Sequence, residues 1–410
     1  MIDLHLSAEQ QEIRDTVREF VTNEIKPVAI KPARMEALDR KPPPDLLEKA
    51  SQMGLRALAL SEALGGAGAD GITACIVAEE LAAGDPDVAA VLVETSTLAH
   101  VLFDQLMTPA QRSRFLPAFV KDDHFQLALA SHEPDVDTEL GVNYHRAVST
   151  APALRTTATR APNGDWIING TKTFVPNAPV AGLFAVLVKT DPKAPAGLGI
   201  STILVPRDTS GMTIRELDQG AGWYHGLRGD LVFTDCRVSG ENLLGREGAS
   251  TLTAGLEADG RGLPVVQAMN IGVGRAAHEA AIEYSGIRIQ GGRRIIEHQA
   301  IGRLLAEIAI KLEVARTIVW KAAWVADHPD AVADRSVADL PFQTLARIYT
   351  AEAMQKVTVD AAEVFGAMGV MRDMPLHKYV QDALIFLHSG MSPDDGRLRI
   401  AEALAQFRRS

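Results

Sequence analysis

Cysteine is scarce in this chain, since 410 residues contain only Cys75 and Cys236. Neither lies in a CxxC pair or a Cys/His cluster, so we expect no disulfide framework and no zinc or other metal site. Two isolated thiols suit a reducing compartment. We therefore expect a cytoplasmic protein.

The chain also lacks an excess of basic charge and any long apolar run. Its 41 lysines and arginines stand against 52 aspartates and glutamates, for a formal net charge of −11. Nucleic-acid binding depends on clustered basic side chains and is not expected. We see neither about 20 uncharged apolar residues in a row nor a signal-peptide start, so we expect no membrane span.

What the chain does have is apolar material for several cores. Hydrophobic residues make up 47% and charged residues 23% of a length that suits two or three domains. Residues 1–123 follow the 3.6-residue period of helices. Ser7 and Thr108 each begin a capping box, and Pro27 is expected to end the first helix. We predict an N-terminal helical domain over residues 1–123.

Residues 124–240 change to a period of two, with turn residues at regular intervals. Asn163-Gly164 predicts a hairpin, because this dipeptide supplies the positive φ of a two-residue turn. Further short strands are predicted over 183–188, 200–205 and 231–233. This middle domain therefore reads as a small barrel or sandwich.

Helical periodicity returns over residues 241–410, with long runs over 295–326 and 345–365. We predict a C-terminal helical domain there. The chain as a whole then belongs to the α+β multidomain class, with a sheet domain between two helical domains.

Six motifs stand in the order of one enzyme family. The middle domain holds three, at 131–138 (Ser-His-Glu-Pro-Asp-Val-Asp-Thr), 169–177 (Asn-Gly-Thr-Lys-Thr-Phe-Val-Pro-Asn) and 231–245. The last domain holds Arg288 with Glu-His-Gln-Ala-Ile at 297–301, Glu-Val-Phe-Gly-Ala-Met-Gly at 363–369, and Gln-Asp-Ala at 381–383. By these motifs the chain resembles the acyl-CoA dehydrogenase superfamily over its whole length. The resemblance implies an N-terminal helical domain, a middle β-barrel and a C-terminal four-helix bundle.

The same resemblance implies non-covalently bound FAD at a subunit interface, and hence a homotetramer or dimer. Arg288 would contact the pyrophosphate, while Gln299 and the backbone from Glu363 to Gly366 would reach the nucleotide half from a neighbouring subunit. Phe174 would lie against the isoalloxazine ring. The implied cofactor residues are Leu129, Ser131, His132, Thr138, Phe174, Val175, Pro176, Arg288, Gln299, Glu363, Gly366 and Ala367. The implied substrate residues are Thr138, Ser389 and Gly390.

Two positions near the implied flavin depart from the family pattern. Pro176 replaces a threonine whose hydroxyl would bond the ring near N5, and proline offers neither a hydroxyl nor a backbone N–H. His132 replaces the threonine before Glu-Pro, where it could be a polar flavin contact or a structural residue.

The largest departure concerns the catalytic base. Family chemistry removes an α-proton with a carboxylate, yet the two family positions for that carboxylate are occupied by Gly390 and Gly262. Nearby acids are candidates for a displaced base, or else are solvated or capping carboxylates. We rank Asp394 and Asp259 first, and Glu257 and Asp395 after them.

The leading interpretation is FAD-dependent α,β-dehydrogenation of an acyl thioester, with an electron-transferring flavoprotein as the implied oxidant. Glycine at both base positions leaves room for a bulky, branched or cyclic acyl group. Two alternatives stay open. The first is another reaction on the same fold, either flavin-dependent monooxygenation or non-oxidative thioester or elimination chemistry. The second is a degenerate subunit that binds flavin without activity of its own. The thioester carrier could be coenzyme A or a carrier protein.

Overall fold

The fold is a sheet domain between two helical domains, as predicted. The computed structural model describes residues 5–31, 41–134, 154–195, 198–217, 224–260, 262–328, 341–388 and 392–405. All structural statements below refer to these residues.

The N-terminal domain consists of six α-helices with π-helical extensions. They are α1 (Ala8–Phe20, continued by a π-helical segment Val21–Ile25), α2 (Lys26–Ala29), α3 (Pro44–Gln52), α4 (Gly71–Gly84), α5 (Pro86–Ala99, continued by a π-helical segment His100–Leu106) and α6 (Pro109–Lys121). Both predicted capping boxes are present, at Ser7 and at Thr108. The expectation that Pro27 ends the first helix is wrong. Helical structure continues to Ala29, because Pro27 lies in the first turn of α2, where a missing N–H is tolerated.

Helices α4 and α5 form the centre of this domain. Every residue of α4 is buried, and so is every residue of α5 except Glu94 and Thr97. The helical run Pro86–Leu106 is long and apolar enough to cross a membrane by length and composition alone. Because 83% of its most apolar window is buried inside the protein, it fits a core helix.

The middle domain is one eight-stranded sheet. Its strands are β1 (Gln126–Ala130), β2 (Thr157–Arg160), β3 (Trp166–Pro176), β4 (Ala181–Lys189), β5 (Ile200–Pro206), β6 (Met212–Glu216), β7 (Arg228–Val238) and β8 (Leu243–Leu244). Neighbouring strands follow the order β6-β7-β3-β2-β4-β5-β8, and β1 pairs in parallel with β4. The predicted hairpin is present, since Arg160 pairs with Trp166 and Gly164 has a φ of +88°. Its turn is longer than the two residues predicted, because residues 161–165 separate the paired strands and only Gly164 of the Asn-Gly pair has a positive φ.

The C-terminal domain is a helical bundle. It contains α7 (Leu252–Asp259), α8 (Gly262–Ile287), a small hairpin of β9 (Ile289–Gln290) and β10 (Arg293–Arg294), α9 (Gln299–Asp327), α10 (Phe342–Phe365), α11 (Leu376–His388) and α12 (Pro393–Leu404). Helix α8 also packs on α4, where a Cβ at Gly272 would lie 2.3 Å from the Glu79 carbonyl oxygen. The bundle and the N-terminal helices therefore share one core.

Candidate functional site

A pocket of about 620 Å³ opens where β1 ends and the end of β3 meets the start of β7. Five of the predicted cofactor residues line it: Leu129, Ser131, His132, Phe174 and Pro176. Four further lining residues were not predicted: Glu133, Pro134, Thr173 and Arg228. The first three of these stand inside the two motifs quoted for the middle domain, which was the signal available for them. Arg228 had no comparable signal.

The end of β3 has an unusual backbone that presents Phe174 to the pocket. Phe174 has a φ of +53° and a side chain 45% exposed, and Asn177 has a φ of +58°. The pairing of β3 with β7 shifts register between Lys172 and Val175, which turns the strand. The side chain of Val175 is buried, so a contact from Val175 to a cofactor would come from its backbone.

Asn177 fastens this strand end to helix α5. Its side-chain amide donates to the Val91 carbonyl and the Thr95 hydroxyl, both at 3.0 Å, and its backbone N–H donates to the Leu227 carbonyl at 2.8 Å. Buried amide contacts of this kind fix orientation. The position of Phe174 is thus set by α5 as well as by the sheet.

The sheet wall of the pocket contains a fully buried ion pair. Lys172 Nζ lies 2.7 Å from Glu133 Oε1, and the two side chains are 0% and 1% exposed. Glu133 also accepts the backbone N–H groups of Arg155 and Thr156, at 2.6 and 3.0 Å. Burial by itself raises the pKa of Glu133, but Lys172 and these donors outweigh burial and hold that pKa below its usual range.

Behind the pocket-lining Arg228 lies a second, different ion pair with Glu94 of helix α5, and we call this side of the pocket the helix wall. Arg228 donates two hydrogen bonds to Glu94, with N···O distances of 2.7 and 3.2 Å, and the Glu94 side chain keeps 29% exposure. Burial raises the pKa of Glu94, and the Arg228 guanidinium opposes that shift without cancelling it. The Arg228 guanidinium also lies 5.6 Å from the ring centre of Tyr224, whose ring meets Phe174 edge to face.

The predicted base candidates occupy different places. Gly262 is the first residue of α8, and a Cβ there would meet only Thr97 Cγ2, at 3.9 Å. Asp394 lies in the first turn of α12, where its side chain is 92% exposed and pairs with Arg397 at 3.2 Å. A carboxylate so exposed is solvated, so this position does not favour Asp394 as a base.

Asp395, next to Asp394, accepts a hydrogen bond from the Ser392 hydroxyl at 2.7 Å and belongs to the helix cap.

Other predicted residues lie outside the described part of the chain. They are Thr138, Ser389, Gly390 and the side chains of Glu257 and Asp259.

The residues predicted to bind the distal half of FAD lie at one end of the bundle. The Tyr284 and Phe365 rings stack with centres 4.1 Å apart, which places the ends of α8 and α10 side by side. Exposed at or near this end are Arg288, Gln299, Glu363, Gly366 and Ala367. None of them lines the pocket. Next to them, the side chains of Ile287 and Val370 are 71% and 78% exposed.

The pocket suits a planar ring with an apolar face and polar edges. Leu129, Phe174 and Pro176 supply apolar surface, while Ser131 and His132, joined by a 3.1 Å hydrogen bond, supply polar atoms. Its volume falls within the roughly 300–1,000 Å³ typical of cofactor sites. The residues present therefore fit the isoalloxazine half of FAD.

Comparison with known proteins gives three domain matches. The chain matches the acyl-CoA dehydrogenase N-terminal domain over residues 7–123, the middle domain over 145–236 and the C-terminal domain over 260–390. A probable acyl-CoA dehydrogenase of Mycobacterium leprae is 31% identical, over 93% of this chain and 91% of that protein.

Two solved structures have the same fold. Butyryl-CoA dehydrogenase from Megasphaera elsdenii is 26% identical with a TM-score of 0.83, over 98% of this chain and 100% of that one. A structure described as an electron transferring flavoprotein of Acidaminococcus fermentans is 25% identical with a TM-score of 0.82, over 99% and 100% of the two chains. The chain belongs to the acyl-CoA dehydrogenase family, and it is an FAD-dependent oxidoreductase that acts on CH-CH bonds.

Proposed function

We propose that this protein catalyses α,β-dehydrogenation of an acyl thioester whose acyl group is bulky, branched or cyclic. The observation that carries the proposal is the pocket in which two family motifs meet, Ser131 and His132 from one and Phe174 and Pro176 from the other. FAD, when bound, supplies the acceptor for a hydride from the β-carbon. The protein's own residues hold the ring and the thioester in register and exclude water.

Within the pocket, Phe174, Leu129 and Pro176 would bracket the flavin ring, and Ser131 and His132 would meet its polar edge. The Val175 backbone would add a contact, and Thr138 would bond the flavin or the thioester chain. Pro176 brings no hydroxyl to the ring, so the flavin environment differs there from the family pattern. The thioester carbonyl would lie near Ser389 and Gly390.

The size of the acyl group is proposed from the space at Gly262. A side chain at that position would fill the gap toward Thr97, whose methyl carbon would lie 3.9 Å from a Cβ placed on the glycine. Part of a bulky acyl group can occupy that gap. Asp259 and Asp394 remain proposed base candidates from the sequence, with the exposure of Asp394 against it.

We further propose a homo-oligomer, a tetramer or dimer, in which the bundle end completes a neighbour's cofactor site. Its support is the separation of Arg288, Gln299, Glu363, Gly366 and Ala367 from the pocket, together with exposed apolar side chains beside them. An electron-transferring flavoprotein is proposed as oxidant. We also propose three domains, with bounds 1–123, 124–240 and 241–410. We propose a cytoplasmic location for the protein.

The experiment is anaerobic titration of the purified yellow protein with acyl-CoAs. The measured signal is the loss of the oxidised flavin absorbance. The panel holds cyclic, branched and straight-chain thioesters, butyryl-CoA among them. Bleaching by cyclic or branched members at lower concentration than by butyryl-CoA supports the proposal. If no thioester bleaches the flavin, dehydrogenation is contradicted. Rapid oxygenation of the reduced protein would then favour the monooxygenase alternative, and co-purification of a glutamate-bearing partner the degenerate subunit.

A further inference from the structure

Helix α5 exposes a short polar stripe. Glu94 and Thr97 are the two residues of Pro86–Ala99 that are not buried, and they are three positions apart. Residues with this spacing share one helix face, with Cβ atoms about 5–6 Å apart. These two partly exposed positions mark one face of α5. Thr97 lines a cavity whose other walls are mainly apolar, Val93 and Val265 among them.

The stripe faces the vacant base position. The Thr97 methyl carbon is the nearest atom to a Cβ built on Gly262, at 3.9 Å. Glu94 is one helical turn away from Thr97 on the same face. In this structure the Glu94 carboxylate is bound to Arg228, and with glycine at 262 no side chain of that residue separates the Glu94 face of α5 from the space where the family places its second base.

The Glu94 carboxylate is bound to a residue that lines the flavin pocket. Arg228, which lines that pocket with Phe174 and Pro176, holds both oxygens of Glu94. Backbone pairing of Pro176 with Arg228 fixes this arginine against the strand that presents Phe174. Glu94 is therefore bound to a residue of the flavin pocket and lies one helical turn from Thr97, the residue nearest the gap at Gly262.

Two other carboxylates stand close to this pocket, and each accepts hydrogen bonds from at least two different residues. Glu133 accepts from Lys172 and from two backbone N–H groups. Asp230, behind Thr173, accepts from the Thr173 hydroxyl at 2.6 Å and from Arg215. Despite burial, these partners hold the pKa of Glu133 and of Asp230 below their usual ranges, whereas the pKa of Glu94 is raised. A general base is more effective as its pKa approaches the working pH.

We propose that Glu94 is the catalytic base that removes the α-proton of the acyl thioester, with Arg228 as its positioning residue. This inference rests on the proposed dehydrogenation. The α C–H bond breaks, the proton passes to a Glu94 carboxylate oxygen, and the electron pair left on the α-carbon becomes the new α,β double bond. The β C–H bond breaks in the same reaction, and its hydrogen leaves with both bonding electrons as a hydride. FAD, when bound, is the acceptor of that hydride.

The test isolates proton removal from hydride transfer. Two probes, butylthioacetyl-CoA and cyclohexylthioacetyl-CoA, carry sulfur in place of the β-carbon, so no β-hydride can leave and only the α-hydrogens can exchange. The FAD-loaded protein is incubated with each probe in D₂O, and deuterium uptake is followed by mass spectrometry. Binding of each probe is measured separately by equilibrium dialysis.

We expect the wild-type protein to accelerate exchange and Glu94→Gln to slow it by about 10²–10⁴-fold at unchanged probe affinity. Glu94→Asp should fall between the two. Adding Gly262→Glu to the Glu94→Gln variant should restore exchange by about tenfold or more, because it returns a carboxylate to the same gap. Glu352→Gln is the matched control, since Glu352 accepts two hydrogen bonds from Arg397, at 2.6 and 2.8 Å, on the outside of the bundle.

Exchange by Glu94→Gln within about threefold of wild type would overturn the assignment while leaving dehydrogenation intact. A loss of exchange matched by an equal loss of probe binding would also overturn it, because Glu94 would then only shape the pocket. If the wild-type protein exchanges neither probe, the proposed function fails together with the assignment. These outcomes keep the two claims distinguishable.

Discussion

Two carboxylates at the flavin pocket are each paired with a cation, Glu133 in the sheet wall and Glu94 behind the pocket-lining Arg228, and the two pairs differ in what surrounds them. On the sheet wall, Glu133 and Lys172 are fully buried, and the carboxylate accepts from the lysine and from two backbone N–H groups. On the helix wall, Glu94 and Arg228 are partly exposed, and the carboxylate has one partner residue among the contacts described above.

The difference shows how one residue type can serve two purposes. Hydrogen-bond saturation stabilises the charged form of Glu133 and makes it part of the framework. Partial burial beside a single cation raises the pKa of Glu94, which makes its carboxylate the better proton acceptor of the two. The pocket therefore has a rigid side that shapes it and a side that can react.

The largest expected effect on stability comes from breaking the sheet-wall pair. Glu133→Gln leaves Lys172 buried without a charged partner, and we expect the free energy of unfolding to fall by about 3–5 kcal/mol. The same substitution at Glu94, whose pair is partly solvated, should change it by less than about 1 kcal/mol. Denaturant unfolding of both variants measures this. Equal losses would contradict the distinction between the walls.

The pH dependence should have opposite signs at the two sites. The lowered pKa of Glu133 means that its stabilisation is present above the unfolded-state pKa and is lost as pH falls through the folded-state pKa. The destabilisation of Glu133→Gln should therefore shrink in acid. The raised pKa of Glu94 means that wild type loses stability relative to Glu94→Gln as pH rises through that value. Denaturant unfolding of both variants across a pH series checks the two signs.

A smaller effect is expected at the bundle end, far from either wall. Arg288→Ala should weaken FAD retention by about 1.5–3 kcal/mol for each charge-assisted bond lost to the pyrophosphate. Unfolding of the apoprotein should change little, because Arg288 is exposed. Equilibrium dialysis of FAD measures the first quantity. Unchanged FAD affinity, or a protein that stays monomeric with FAD bound, would remove the bundle end from the cofactor site.

Local patterns in the sequence predicted most of the fold. The capping boxes at Ser7 and Thr108 and the Asn163-Gly164 turn involve residues within a few positions of one another, and all three are present. Pro27 was misjudged because a π-helical segment places it in the first turn of a new helix, a change that periodicity does not reveal.

The candidate site was predictable only where its residues belong to contiguous motifs. Ser131, His132, Phe174 and Pro176 meet in one pocket because each motif ends a strand there. The pairing of Glu94 with Arg228 joins residues 134 positions apart and leaves no periodic trace. A glutamate directly after the apolar run 88–93 was the one available signal, and it identifies an unusual residue without naming its partner.

The most direct test of the contrast between the walls is the rate of anaerobic flavin reduction, measured by stopped flow in wild type and Glu94→Gln. The substrate is the acyl-CoA that bleaches the wild-type flavin at the lowest concentration. We expect the variant to keep its FAD, to change its unfolding free energy by less than about 1 kcal/mol, and to reduce the flavin about 10²–10⁴-fold more slowly. A variant that reduces its flavin as fast as wild type would contradict the account, and would show that the helix wall carries no base.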